Sequence, residues 1–126
     1  MLEFGVTVDK QQGFAVLRSH GYINNLGGEK LANEAYQLME SDGLKHLIFN
    51  LEGSRVVNSI GISILIEVIE KILEKDGRLA FTNLTPTVEK TFKIMGLLHY
   101  ADLFSDEAKA VEDYTKLTAS LPGGGS

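Results

Sequence analysis

A chain of 126 residues without cysteine is long enough to bury a core unaided, and it excludes disulfides, thiolate nucleophiles and cysteine-based zinc sites. Hydrophobic residues make up 44% and charged residues 23% of it, the balance of a soluble globular domain. With 12 basic against 17 acidic residues and a net charge of −5, it lacks the basic footprint that sequence-independent nucleic-acid binding relies on.

The opening segment "LEFGVTV" alternates apolar and polar residues and has no basic start before a long apolar run, so it does not read as a signal peptide. No stretch reaches the uninterrupted apolar length of a membrane span, because Glu67, Glu70 and Lys71 break the longest one. A cytoplasmic domain is expected. "LEFGVTV" and "FAVLRSHGYI", separated by "DKQQG", predict a hairpin of two strands. In "NNLGGEKLANEAYQLMESDG", Leu31, Ala35, Leu38 and Met39 recur at helical spacing and Gly43 supplies a stop. "KHLIFNLEG" is a short apolar run bounded by turn residues, the pattern of a fully buried strand.

A second helix is expected over 59–75, with Ile62, Leu65, Ile66, Ile69, Ile72 and Leu73 on its apolar face. "RLAFTNL" predicts the next strand, and "TPTVEKTFKIMG" a compact helix capped by Thr85, with Pro86 at its first position and Gly96 as its stop. "LLHYADLF" supplies a short edge strand. "SDEAKAVEDYTKLTAS" closes the domain as an acidic-started helix with Ser105 as its expected cap. Strands alternating with helices imply an α/β domain with a mixed, mostly parallel sheet, entered by an N-terminal hairpin and coated by about four helices. The domain is expected to span 1–120, followed by a flexible tail over 121–126.

Enzyme signatures are missing from the pattern: there is no Gly-rich loop ending in Lys and Ser/Thr and no GxGxxG after a strand. Gly27 and Gly28 read as a tight loop rather than a phosphate cradle. His20, His46 and His99 share no ligand spacing and are expected to be half-buried structural residues. No nucleophile–base–acid set emerges, and neither a metal nor a cofactor is expected. The chemistry that remains sits at the start of the second helix, where Asn58 and Ser59 precede an apolar run. Such residues cap helices, accepting a bond from an orphan backbone N–H. The same position tolerates a phosphate, because the helix end carries partial positive charge and unpaired N–H groups. A phosphate there would add about −1.5 to −2 charges, enough to disrupt an apolar contact docked over it. Gly61 next to it is read as leaving room for another chain. Ser63, one turn on, is expected to face the sheet or a partner rather than to serve as a second acceptor, and Ser54 is a weaker candidate still.

The stretch "HLIFNLEGSRVVNSIGISILIEVIEKI", followed by "GRLAFTNLTPTVEKTFKIMGLLHYADLF", resembles the STAS domain of bacterial anti-sigma factor antagonists. In that family a strand leads through "D-S-x-G" into a helix, and the opening hairpin carries a motif that appears here as Gly21, Tyr22, Ile23 and Asn24. The resemblance implies a four-helix, mixed-sheet domain that works by partner switching. The unmodified antagonist binds an anti-sigma factor that is also a serine kinase; phosphorylation of the motif serine ends the complex, and a serine phosphatase resets it. Carried over, Ser59 is the acceptor and Gly61 the motif glycine, while Asn24, Asn58, Ser59, Gly61, Ile62 and Ser63 would form the partner-binding surface. Asn58 and Asn24 stand where the family more often has Asp. Either that loss of carboxylates eases the phosphorylated state, since adjacent anions repel, or it deprives the kinase of a group that helps it. A non-switching scaffold of a stress-signalling complex or a subunit of lipid-transport machinery is the alternative that the resemblance also implies.

Overall fold

The computed structural model describes residues 3–119; the tail expected over 121–126 lies outside them. Two strands, β1 (Gly5–Lys10) and β2 (Ala15–His20), form the antiparallel hairpin. They are followed by α1 (Asn25–Ser41), β3 (His46–Gly53), α2 (Ser59–Glu74), β4 (Arg78–Thr82), α3 (Pro86–Ile94), a 3₁₀ turn (Leu97–His99), β5 (Asp102–Phe104) and α4 (Glu107–Ala119). The five strands lie side by side in chain order, with β2 through β5 mutually parallel.

That order decides where the helices go. Three successive crossovers step across the sheet in one direction, and parallel crossovers keep one hand, so α1, α2 and α3 share a face. The strand period of two then splits the sheet residues cleanly. Ala15, Leu17, Leu47, Phe49, Leu79 and Phe81 join the large core with the apolar stripes of α1, α2 and α3. Phe14, Val16, Ile48 and Ala80 point the other way, under Ala110 and Tyr114 of α4. The first six residues of β3 are buried, as expected for a central strand covered on both sides.

Local signals explain the helix boundaries. At the end of α1, Gly43 is left-handed at φ +67° and the Leu44 N–H reaches back to the Leu38 carbonyl, closing the helix in a glycine-dependent C-terminal motif. The Thr85 hydroxyl accepts from the Val88 N–H at 3.2 Å and Pro86 opens α3, as expected. The cap of α4 differs: Asp106 Oδ1, not Ser105, accepts from the Lys109 N–H at 2.9 Å. Residues three before the bonded N–H have the reach to cap, and Ser105 stands one residue too early.

Candidate functional site

Two helix starts meet at one end of the sheet. The segment after β2 and the segment after β3 run side by side, with the Ile23 N–H donating to the Val56 carbonyl at 3.0 Å and the Asn58 N–H to the Ile23 carbonyl at 3.1 Å. Ile23 and Val57 form a single parallel bridge between them. Each segment then enters a helix through an asparagine. Asn24 Oδ1 accepts from the Gly27 N–H at 3.0 Å to cap α1, and Asn58 Oδ1 accepts from the Gly61 N–H at 2.8 Å to cap α2. Asn24 and Asn58 therefore hold their oxygens against their own helices.

The glycine three residues after each cap is fixed by close backbone approach. A Cβ on Gly61 would stand 2.2 Å from the Ile23 carbonyl oxygen, and one on Gly27 would stand 2.3 Å from that of Tyr22. The space expected beside Gly61 for another chain is thus already filled by the loop of this one. Gly27 and Gly28 lie buried in the first turn of α1, not in the tight loop expected for them, because the Asn24 cap starts the helix before them.

Because Asn58 takes the capping role, Ser59 is left as the first residue of α2 with its side chain exposed. The first intrahelical bond runs from the Ile62 N–H to the Asn58 carbonyl, so the Ser59 and Ile60 amides precede it and share the positive end of the helix. Ile62 is 4% exposed and sits in the large core, which corrects its expected place on a partner surface: its spacing of three and four from Leu65 and Ile66 puts it on the buried stripe. Ser63 does not face the sheet; it is exposed and its hydroxyl donates back to the Ser59 carbonyl at 3.1 Å, a common local bond for helical serine. Ser54 is 1% exposed and its hydroxyl shares a 2.8 Å hydrogen bond with that of Ser19, so it is no acceptor.

The end of the sheet where the two helices start exposes apolar side chains that periodicity does not mark. Tyr22, Leu26, Val56 and Ile60, all on the two converging segments and their first helical turns, are 46%, 64%, 56% and 54% exposed. Their signal in the chain was position: Ile60 falls off the stripe that buries Ile62, Leu65, Ile69 and Ile72, and nothing else in the fold claims it. An exposed hydroxyl at a helix start, at an end of the sheet that also exposes apolar groups, can take a charged substituent and so alter what docks there.

The histidines correct their shared expectation. His20 and His99 are exposed, and only His46, at 4% exposure, is buried. The Gly96 to Tyr100 segment is the 3₁₀ turn with Leu97 buried beneath it; together with the second half of α2 it borders an apolar groove of about 420 Å³. Among the described residues no group of acidic, histidine or cysteine side chains is arranged to hold a metal ion, and no helix is long and apolar enough to cross a membrane.

The model of one family, the STAS domain, matches residues 6–110. A Bordetella bronchiseptica protein, BtrV, provisionally described as an anti-sigma factor antagonist, is 25% identical over 93 residues, which cover 74% of this chain and 79% of that protein. Among solved structures, an anti-sigma factor antagonist from Mycobacterium paratuberculosis superposes with a TM-score of 0.76 at 19% identity, covering 88% of this chain and 93% of that one. The phosphorylated form of the Bacillus cell fate determinant SpoIIAA matches with a TM-score of 0.70 at 18% identity, covering 87% and 99%. At these identities the two structural likenesses bear on the fold.

Proposed function

This chain belongs to the STAS domain family, and we propose that it is an anti-sigma factor antagonist that works by partner switching in the cytoplasm. Unmodified, it binds an anti-sigma factor that is also a serine kinase. That kinase transfers the γ-phosphoryl group of ATP to Ser59 Oγ; the hydroxyl proton leaves to a base of the kinase, the bond to the β-phosphate oxygen breaks, and ADP departs. The modified chain is released, and a serine phosphatase restores it. The description of the Bordetella relative supports the class of partner.

The observation that carries the reading is the exposed Ser59 at the start of α2, with exposed Ile60 beside it and exposed Tyr22, Leu26 and Val56 on the segments that converge at the same end of the sheet. A partner covering those side chains removes them from water, a gain of roughly 25 cal/mol per Å². A phosphate under the same cover must be desolvated, which is costly without a dedicated cation. A swing from 1:99 to 99:1 needs about 5.5 kcal/mol of differential binding, within reach of a desolvated dianion.

The test is incubation with the cognate kinase and ATP, followed by mass spectrometry and partner capture. One phosphate on Ser59, absent from Ser59→Ala, is the expected result. A chain left unmodified, or Ser59→Ala modified equally well, would overturn it. Retained partner binding without modification would point to the non-switching scaffold, a reading favoured by the amides at Asn24 and Asn58, which leave no carboxylate at either helix start.

A further inference from the structure

Away from Ser59, on the opposite face of the sheet, one titratable side chain is buried without any hydrogen-bonding partner. His46, the first residue of β3, is 4% exposed, and neither Nδ1 nor Nε2 meets a donor or acceptor. Its ring lies edge-on to that of Tyr114 of α4, with centroids 6.3 Å apart and planes at 78°. Tyr114 is the anchor of α4: its ring also meets Phe14 and Phe104 edge-on, and its hydroxyl donates to Asp102 at 2.9 Å.

We propose that His46 is an acid-operated latch, and that uptake of a proton on its buried imidazole loosens α4 and uncovers the apolar strip of sheet beneath it. The groups around the imidazole leave the charged form without support. β4 contributes Arg78, the register neighbour of His46, whose guanidinium lies 5.6 Å from the Tyr114 ring centroid. The segment leading into β3 contributes Lys45, a second cation. α4 contributes Tyr114, and the residue leading into β2 is the apolar Phe14. β5 contributes the anion Asp102, whose Oδ2 takes both the Tyr114 hydroxyl and the Arg78 guanidinium, the latter at 2.8 Å, and α4 adds a second anion, Asp113, which acts on Tyr114. An imidazolium presents two N–H donors, and here neither ring nitrogen has an acceptor while Lys45 and Arg78 oppose the charge.

Burial lowers the imidazole's affinity for a proton, and Lys45 and Arg78 act in the same direction. The docked state therefore holds the proton less tightly than the released state, where the ordinary value near 6.5 applies. Docking is complete above that value and weakens as pH falls through it, until the depressed value of the docked state is reached. Glu107, which also ties α4 to the sheet, has its carboxyl held below its ordinary value by Arg18, so its contribution stays in place at the pH where that of His46 begins to fade. Loosening α4 exposes Phe14, Val16, Ile48 and Ala80 while leaving the larger core on the other face intact.

Hydrogen exchange of the full chain, corrected for intrinsic rates, at about pH 7.5 and about pH 5.5 tests this across the histidine range. The expected result is faster exchange along α4 at the lower pH, by up to about tenfold, since a pH of about 5.5 lies about one unit below the released value, with β3 and β4 unchanged. His46→Phe keeps a ring against Tyr114 but cannot titrate, and should abolish the response; His46→Leu is the substitute if the Phe variant does not fold. An NMR titration should place His46 below the ordinary imidazole value. Equal exchange along α4 at both pH values, a pH response surviving in His46→Phe or His46→Leu, opening of all elements together, or an ordinary titration of His46 would each overturn the proposal.

Discussion

At the residue scale, the start of α2 divides two tasks between neighbours. Asn58 satisfies the Gly61 N–H, which frees Ser59 to stand at the surface. Replacing Asn58 by Ala removes the cap and should cost about 0.5–2 kcal/mol, typically about 1. Asn58→Asp keeps an accepting oxygen and adds a negative charge at the positive end of the helix, so it should match the wild type or exceed it by a few tenths of a kcal/mol. Urea midpoints of the two variants would check this; equal losses in both would show that the amide's second group, not the capping oxygen, matters. That Asn58 or Ser59 caps the helix was legible, but not which of them does, because the choice depends on the backbone turning at 58 rather than 59. Ile62 shows the converse difficulty: a residue beside a motif serine looks accessible until the helix phase is fixed, and the phase buries it.

At the element scale, α4 is held over the sheet by contacts between parts of the chain far apart in sequence. Arg18 of β2 grips Glu107 with two bonds, Nε to Oε1 and Nη2 to Oε2, each 2.8 Å. Asn50 of β3 donates to the same Oε1 at 2.9 Å, and Asp9 of β1 takes Arg18 Nη2 at 3.2 Å. No periodicity reveals this clamp, since its members are separated by up to 89 residues, and Asp9, Arg18 and Glu107 each read singly as a solvated charge. The helix itself was legible from its pattern; what it covers was not. The Arg18 hydrogen bonds, opposed by burial and helped by Asn50, hold the Glu107 carboxyl below its ordinary value. A carboxyl depressed on folding adds stability that is present above its unfolded pKa and disappears as pH falls through its folded value. Glu107→Gln should therefore lower stability at neutral pH by about 1–2 kcal/mol, allowing for the partial exposure of the pair, and should flatten the acid limb of the stability profile below about pH 4.5. Chemical denaturation across pH would measure it; an acid limb unchanged in Glu107→Gln would assign the effect to other carboxylates.

At the scale of the whole molecule, strands laid down in chain order leave the sheet asymmetric, with three helices and the large core on one face and α4 alone on the other. Alternation of strands and helices was enough to read a mostly parallel α/β sheet behind a hairpin, because crossover length and handedness restrict the alternatives. The meeting of the two helix starts was out of reach of local pattern, since it depends on Ile23 bonding to Val56 and Asn58 across the top of the sheet. Ser59 itself is exposed and belongs to neither core, although Ile23 beneath it does, which makes a separable switch physically reasonable. Ser59 buries nothing and caps nothing, so a charge there should change docking without disturbing the fold. Ser59→Asp places an anion at the positive end of α2, worth about 0.3–1 kcal/mol in favour of the folded state. Its urea midpoint should equal or slightly exceed that of the wild type, while its affinity for the proposed kinase partner should fall at least about tenfold, or 1.4 kcal/mol. Binding and stability falling together would mean that the residue supports the fold. Unchanged binding would mean that the apolar rim of Tyr22, Leu26, Val56 and Ile60 docks nothing over this hydroxyl. Only stability held and binding lost agrees with a hydroxyl placed where modification changes the company the domain keeps and leaves its interior alone.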